Sequence, residues 1–262
     1  MLRAALYLAA SIILLILGFS FQNTTLGDLS VGAFLALTVP TGIAISASRT
    51  HARLYWYSLR YRNQTIRISA AYLFRVKLDD KYLLVRGSRF PHYQPVGGVF
   101  KFSSEGQRFL TSIDAQDDDL IAIDDKSRSD LRIRLPGRNL LKFYTWYDGR
   151  RGREDSPWRE FHEELILTSV IPGNVFPHIF HDYHGRIVDP IRYSAHASSL
   201  EIIISDIYEL LPNGDQEEAL RGTFSSGRED FGWFTRNAIE RRGVLPGVTA
   251  STPIAEHAQK IL

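Results

Sequence analysis

The sequence predicts an α+β fold: a mixed-sheet sandwich with few helices and one insertion, preceded by two transmembrane helices. Two observations lead to this prediction. The chain begins with two long apolar runs that carry no charge, and from about residue 65 it changes to short apolar runs separated by turn residues. The later elements follow in the order strands, insertion, helix, strands and helix, which is typical of an α+β sandwich.

The two apolar runs predict a transmembrane hairpin over residues 1–48. Residues 4–27 and 29–48 contain no Asp, Glu, Lys or Arg, and helices over about 4–21 and 29–48 would be long enough to cross a bilayer. A cleaved signal peptide and a buried apolar hairpin are the alternatives. Arg3 precedes the first run and several arginines crowd the sequence after the second, so both termini are expected on the cytoplasmic side. Residues 49–64 are interpreted as a basic, aromatic juxtamembrane linker.

The overall composition excludes several classes of function. The 262 residues include 31 Lys+Arg and 29 Asp+Glu, so the charge balance gives no reason to expect a DNA or RNA duplex as partner. There is no cysteine, which rules out disulfides, thiolate metal sites and a cysteine nucleophile.

A soluble domain is predicted over residues 65–243. Its first two strands flank the turn at Asp79–Asp80, and "YQPVGGVFKF" predicts one further strand with Gly97 and Gly98 at its middle. Residues 106–156 are interpreted as an inserted hairpin or strand pair. "SPWREFHEELIL" predicts a helix capped by Ser156, three strands and a final helix follow, and residues 244–262 are expected to form a loosely held tail.

The glutamates of the predicted helix are the main candidates for a metal site. Glu160, Glu163 and Glu164 stand at i, i+3 and i+4, so their carboxylates lie on one helix face. Oxygen ligands of this kind suit Mg²⁺ or Mn²⁺. The alternative is a solvated helix face on which Arg159 pairs with Glu163.

Other residues are candidates for nucleotide binding. Arg86 and Arg89 precede the glycine pair and could hold a phosphate with two hydrogen bonds each, although surface ion pairs are an equal alternative. The pair Gly97–Gly98 indicates close approach of a backbone or a ligand. His178, His181 and His184 are spaced by three and are interpreted as ordinary loop and strand residues rather than zinc ligands.

The segment "REFHEELIL" resembles the helical half of the NUDIX box. Arg159, Glu160, Phe161, Glu163, Glu164 and Leu167 match the pattern, while Ile166 stands where glycine is usual. "YQPVGGVFKFSSE" offers the first half, with Gly97, Gly98 and Glu105, about fifty residues before Arg159. Arg159 and Phe161 are then expected to support the box helix.

A split box after two membrane spans resembles the NUDIX domains of CBASS antiphage systems. The resemblance implies an inner-membrane effector that senses a cyclic oligonucleotide, self-associates in the lipid bilayer and disrupts the membrane, which causes abortive infection. It also leaves open a membrane-anchored, Mg²⁺-dependent NUDIX hydrolase of a nucleoside diphosphate derivative. A membrane scaffold without a small ligand is a third alternative.

Overall fold

The computed structural model describes residues 49–87, 91–118, 128–195, 197–244 and 252–262, with residues 13, 16 and 34. The chain divides into two compact units, residues 1–62 and 63–262. Apart from residues 13, 16 and 34, the predicted spans 4–21 and 29–48 lie outside the described residues. Within those residues, no helix has the length and apolar character needed to cross a membrane. The predicted juxtamembrane linker contains helix α1, Arg49–Arg60.

The second unit is built on a mixed sheet, which confirms the predicted α+β class. Strand β1 (Thr65–Arg75) lies at its centre, parallel to β10 (Ser199–Leu211). On the far side of β10 lie β8 (Phe180–Val188) and β9 (Arg192–Ser194), both antiparallel to it.

A second, smaller sheet completes the sandwich. It is formed by β2 (Lys77–Leu78), β3 (Lys81–Arg86), β4 (Tyr93–Gln94) and β11 (Phe231–Thr235). The turn predicted at Asp79–Asp80 joins β2 to β3, and Asp79 adopts a positive φ there. Near the small sheet in sequence lie helices α5 (Gly214–Gly222), before β11, and α6 (Arg236–Glu240), after it; the segment between β4 and β8 carries helices α2 (Ser104–Ser112), α3 (Leu140–Asp148) and α4 (Trp158–Phe161). Only the α6 part of the predicted final helix is helical in the structure. The residues before it form β11, which pairs with β3.

The prediction of one strand through the glycine pair is wrong. Tyr93–Gln94 pair with β3 in the small sheet, whereas β5 (Gly97–Val99) pairs with β1 in the central sheet. The chain thus crosses from one sheet to the other within a few residues. Gly97 and Gly98 are where it joins the central sheet.

The predicted insertion is more than a hairpin. It contains α2 (Ser104–Ser112), β6 (Gln116–Asp117), β7 (Arg132–Pro136), a 3₁₀ turn at Gly137–Asn139 and α3 (Leu140–Asp148). Strand β5 pairs only with residues 71–73 of β1, and β7 pairs with residues 65–69. The inserted segment is therefore a structural part of the central sheet, because the first half of β1 takes its partner from it.

The two faces of the central sheet bury different cores. Tyr72 and Phe74 lie on one face, where Phe74 packs against Phe161 with ring centroids 5.3 Å apart. On the opposite face, Leu73 packs with residues of the small sheet and of the C-terminal segment. Because side chains alternate along a strand, the faces carry separate sets of residues.

The prediction of a loosely held tail is wrong for residues 252–262. A 3₁₀ helix over Glu256–Ile261 lies in this segment, and Ile254, Ala258 and Ile261 are fully or almost fully buried. These side chains join the core between the sheets, so burial of apolar surface holds the segment in place.

Candidate functional site

The box residues meet at the edge strand β5. The predicted helix consists of α4 (Trp158–Phe161) and a π-helical turn over His162–Ile166. A Cβ atom at Gly98 would overlap the carboxylate of Glu160, and one at Gly97 would overlap the backbone carbonyl of Tyr72. The backbone N–H of Gly97 donates to Oε2 of Glu164 over 2.9 Å. The glycine pair thus permits direct contact between β5 and the box glutamates.

Arg159 lies at the centre of the carboxylates. Its guanidinium donates to both carboxylate oxygens of Glu154 at 3.2 Å, to Oε1 of Glu160 at 2.5 Å and to the carbonyl oxygen of Val99 at 2.9 Å. The i+4 partner Glu163 is farther away, 3.8 Å from Nη1 of Arg159. Such charge-assisted, multidentate pairing fixes the helix against β5.

Glu154 was missed as a site residue. The sequence suggests Glu105 for the first half of the box, but Glu105 lies in the first turn of α2. Glu154 instead holds Arg159 and accepts from the backbone N–H of Lys101 at 3.3 Å. Glu154 lies five residues before Arg159. A search that allowed a variable distance between the first glutamate of the box and Arg159 would have found it. Ile166 stands at the place of the box glycine, and its Cγ2 lies 2.9 Å from the position that a Cβ at Gly173 would take.

Glu164 carries a half-buried carboxyl group on the π-helical turn. The turn is marked by the bond from Leu167 N–H to the carbonyl oxygen of His162 at 2.9 Å, an i to i−5 spacing often found at functional sites. Burial raises the pKa of Glu164 to about 8, and the nearby Glu160 and Glu163 act in the same direction. At neutral pH the group is therefore mainly protonated.

Replacing Glu164 by glutamine is expected to remove a pH dependence of stability. Between pH 4.5 and about 8, the folded protein keeps a proton on Glu164 that the unfolded chain has lost. The free energy of unfolding of the wild type should therefore fall, relative to Glu164→Gln, by up to about 1.4 kcal/mol per pH unit across this window. Urea unfolding at several pH values measures it. Glu218→Gln, at an exposed position on α5 outside the box, is the control, and parallel curves for wild type and Glu164→Gln would contradict the assignment.

In this arrangement the box carboxylates have partners other than a cation. Arg159 donates to Glu154 and Glu160, and burial raises the pKa of Glu164, so a divalent cation would have to compete with the guanidinium and with a proton. Among the described residues, no group of three or more His, Asp or Glu side chains could hold a metal ion. The predicted Mg²⁺ or Mn²⁺ site at Glu160, Glu163 and Glu164 therefore has no support in this arrangement.

A cavity of about 650 Å³ opens on the other face of the central sheet. Its floor is formed by small and apolar side chains of β1 and β10, and β5 forms one wall. Gly97 and Gly98 line the cavity, and they also lie against Glu164 and Glu160 of the box helix. Strand β5 therefore separates the cavity from the box helix. The volume lies in the range of small-molecule sites.

Charged residues from distant parts of the chain line this cavity. They are Arg132 on β7, Asp189 and Arg192 around the β8–β9 turn, and Glu256, His257 and Lys260 on the C-terminal 3₁₀ helix. Burial lowers the pKa of His257, and the charge of Lys260 acts in the same direction. None of these residues stands out in the sequence, because no local pattern connects them.

The arginines proposed from the sequence are not brought to the cavity. Arg86 lies on β3 in the small sheet, with Nη1 3.6 Å from Oε2 of Glu229 in an exposed ion pair. Arg89 lies outside the described residues. Phe161, proposed as a support of the box helix, is fully buried between Phe74 and Phe176.

Comparisons with known proteins identify one family. The model of the SMODS-associated NUDIX domain matches residues 65–262, which include both sheets, the box helix and the C-terminal 3₁₀ helix. No curated protein and no solved structure gave a significant match.

Proposed function

The chain belongs to the SMODS-associated NUDIX domain family, and from that premise we propose that it is a CBASS effector that senses a cyclic oligonucleotide. Membership makes it a CBASS-linked protein of NUDIX fold. The proposal goes further: the cavity beside β5 binds the second messenger, and binding activates a membrane-disrupting part of the same chain.

The observation that carries the proposal is the combination of the cavity with the cations around it. Arg132, Arg192 and Lys260 can hydrogen-bond the phosphodiester oxygens of a nucleotide ring. The apolar floor offers surface against which bases can pack, including Leu73 and Ile203. The family membership supports a nucleotide-derived ligand for such a site.

Binding without cleavage is favoured by the state of the box. The guanidinium of Arg159 neutralises Glu160, and Glu164 is protonated and bonded to the wall of the cavity. These groups hold β5 in place, so that the inherited box becomes a support of the binding site. The Mg²⁺-dependent hydrolase remains the second candidate, because Glu160, Glu163 and Glu164 retain the order of the box.

The membrane part of the proposal rests on the sequence. The uncharged runs at residues 4–27 and 29–48 suit two spans of the bacterial inner membrane with both termini in the cytoplasm. Two helices are too few to enclose a pore, so several copies would have to assemble. We therefore propose that the ligand promotes homo-oligomers whose spans disrupt the bilayer and cause abortive infection.

Titration of the full-length protein against a panel of cyclic di- and trinucleotides tests the proposal. Calorimetry should find at least one member that binds, and that member should release dye from vesicles containing the protein. Linear nucleotides of the same bases are the control. Absence of binding by every member would overturn the receptor function, whereas Mg²⁺-dependent cleavage of a nucleoside diphosphate derivative would favour the hydrolase.

A further inference from the structure

A compact charged cluster lies inside the cavity. Nζ of Lys260 is 2.9 Å from Oδ2 of Asp189 and donates to the hydroxyl oxygen of Ser205 over 3.1 Å. Nη2 of Arg192 approaches the same oxygen of Asp189 at 3.6 Å. One carboxylate oxygen thus serves two cations, and all four residues line the cavity.

The cluster is assembled by three separate segments. Asp189 follows β8, and its backbone N–H donates to the carbonyl oxygen of Ile203 on β10 at 2.9 Å. Ser205 lies farther along β10, and Lys260 is carried by the C-terminal 3₁₀ helix, whose Ala258 is buried. The backbone positions of the three groups are therefore fixed by the sheets and by the core.

The charged side chains of the cluster differ in their exposure to solvent. Those of Asp189 and Lys260 are only 12% and 14% exposed, whereas that of Arg192 is 58% exposed. Burying a carboxylate is costly unless cations surround it, which explains its two partners. The ammonium group of Lys260 has three N–H donors, of which Asp189 and Ser205 accept two.

We propose that Lys260 and Arg192 form a phosphate-binding subsite, and that Asp189 holds both cations until a phosphate group replaces it. A phosphodiester carries a delocalised negative charge on two oxygens, so it can accept from the ammonium and the guanidinium together. Asp189 then acts as an internal competitor that keeps the empty subsite neutralised. The choice of a phosphodiester as ligand rests on the proposed function.

Removal of the cation and removal of the competitor should have opposite effects. Lys260→Met is expected to weaken phosphate binding by roughly ten-fold or more, the effect of losing one charge-assisted hydrogen bond. Asp189→Asn should strengthen it several-fold, because Ser205 still positions Lys260 while the competing charge is gone. Lys260→Arg keeps the charge and should retain binding.

Inorganic phosphate is the probe. Its binding to the full-length protein is measured as the difference between the unfolding midpoint in phosphate and the midpoint in chloride at equal ionic strength. Lys142→Met, at an exposed position on α3 away from the cavity, is the control and should respond like the wild type. Circular dichroism identifies any variant that fails to fold, and Arg192→Gln, which removes the more exposed cation of the subsite, then replaces Lys260→Met in the comparison.

Two outcomes would overturn the subsite. If Lys260→Met binds phosphate as tightly as the wild type, Lys260 does not belong to the subsite. If Asp189→Asn binds phosphate more weakly, Asp189 positions the cations and does not compete with the phosphate. The proposed receptor function is tested separately. If phosphate acts through Lys260 but no cyclic nucleotide binds, only the receptor function fails; if a cyclic nucleotide binds Lys260→Met as tightly as wild type, only the subsite fails.

Discussion

Replacing Gly97 by alanine is expected to destabilise the protein by roughly 2–5 kcal/mol. Gly97 has φ of 154°, a conformation that residues with a Cβ rarely adopt, and the added methyl group would overlap the backbone carbonyl of Tyr72. A carbonyl in the central strand β1 cannot move aside without breaking the pairing of β1 with β5. Urea unfolding followed by circular dichroism measures the change in the free energy of unfolding.

Two further glycine variants serve as controls for Gly97→Ala. Gly222→Ala, in helix α5 where an added Cβ meets nothing within 4 Å, should be neutral or stabilise by up to about 1 kcal/mol. Gly98→Ala would overlap the side chain of Glu160, which can shift more easily than a backbone carbonyl, so it should cost less stability than Gly97→Ala. A Gly97→Ala protein as stable as Gly222→Ala would show that β5 does not approach β1 as described.

Local patterns in the sequence account for strands in both sheets. Leu131, Ile133 and Leu135 alternate because one face of β7 is buried, and the same reasoning predicts the strands around Asp79–Asp80. The start of the box helix is predicted to within a residue or two: Pro157 takes the cap position that was expected for Ser156, the helix begins at Trp158, and Oγ of Ser156 accepts from the N–H of Trp158 at 3.3 Å. Such features depend on neighbours in sequence and are therefore visible without the fold.

Features that depend on long-range pairing could not be predicted in the same way. The crossing of the chain from β4 in the small sheet to β5 in the central sheet cannot be predicted from the strand pattern, because that pattern is the same in either sheet. The cavity combines Arg132, Asp189 and Lys260, which are far apart in the chain. One signal was present: Ile254, Ala258 and Ile261 have helical spacing, which argues for a packed segment where a tail was expected.

The second large effect is expected at Asp206, which is fully buried in β10. Its carboxylate accepts from Nε and Nη2 of Arg186 at 2.5 and 3.1 Å and from the hydroxyl group of Tyr147 at 3.1 Å. Nη2 of Arg153 lies 3.9 Å away, and both arginines lie over the ring of Tyr147. One negative charge thus compensates two largely buried guanidinium groups.

Asp206→Asn is expected to lower the free energy of unfolding by about 3–5 kcal/mol, because it leaves Arg153 and Arg186 without their buried counter-charge. Asparagine preserves the shape of the side chain, so the loss isolates the charge and not the packing. The matched control is Asp148→Asn, which removes the other partner of Arg186, 2.7 Å from Nη1, where the carboxylate is 57% exposed. That change should cost no more than about 1 kcal/mol. Equal losses in the two variants, measured by urea unfolding, would contradict the role assigned to Asp206. A large loss at Asp206 alone would instead show that this buried counter-charge, on the sheet face opposite the cavity, stabilises the fold.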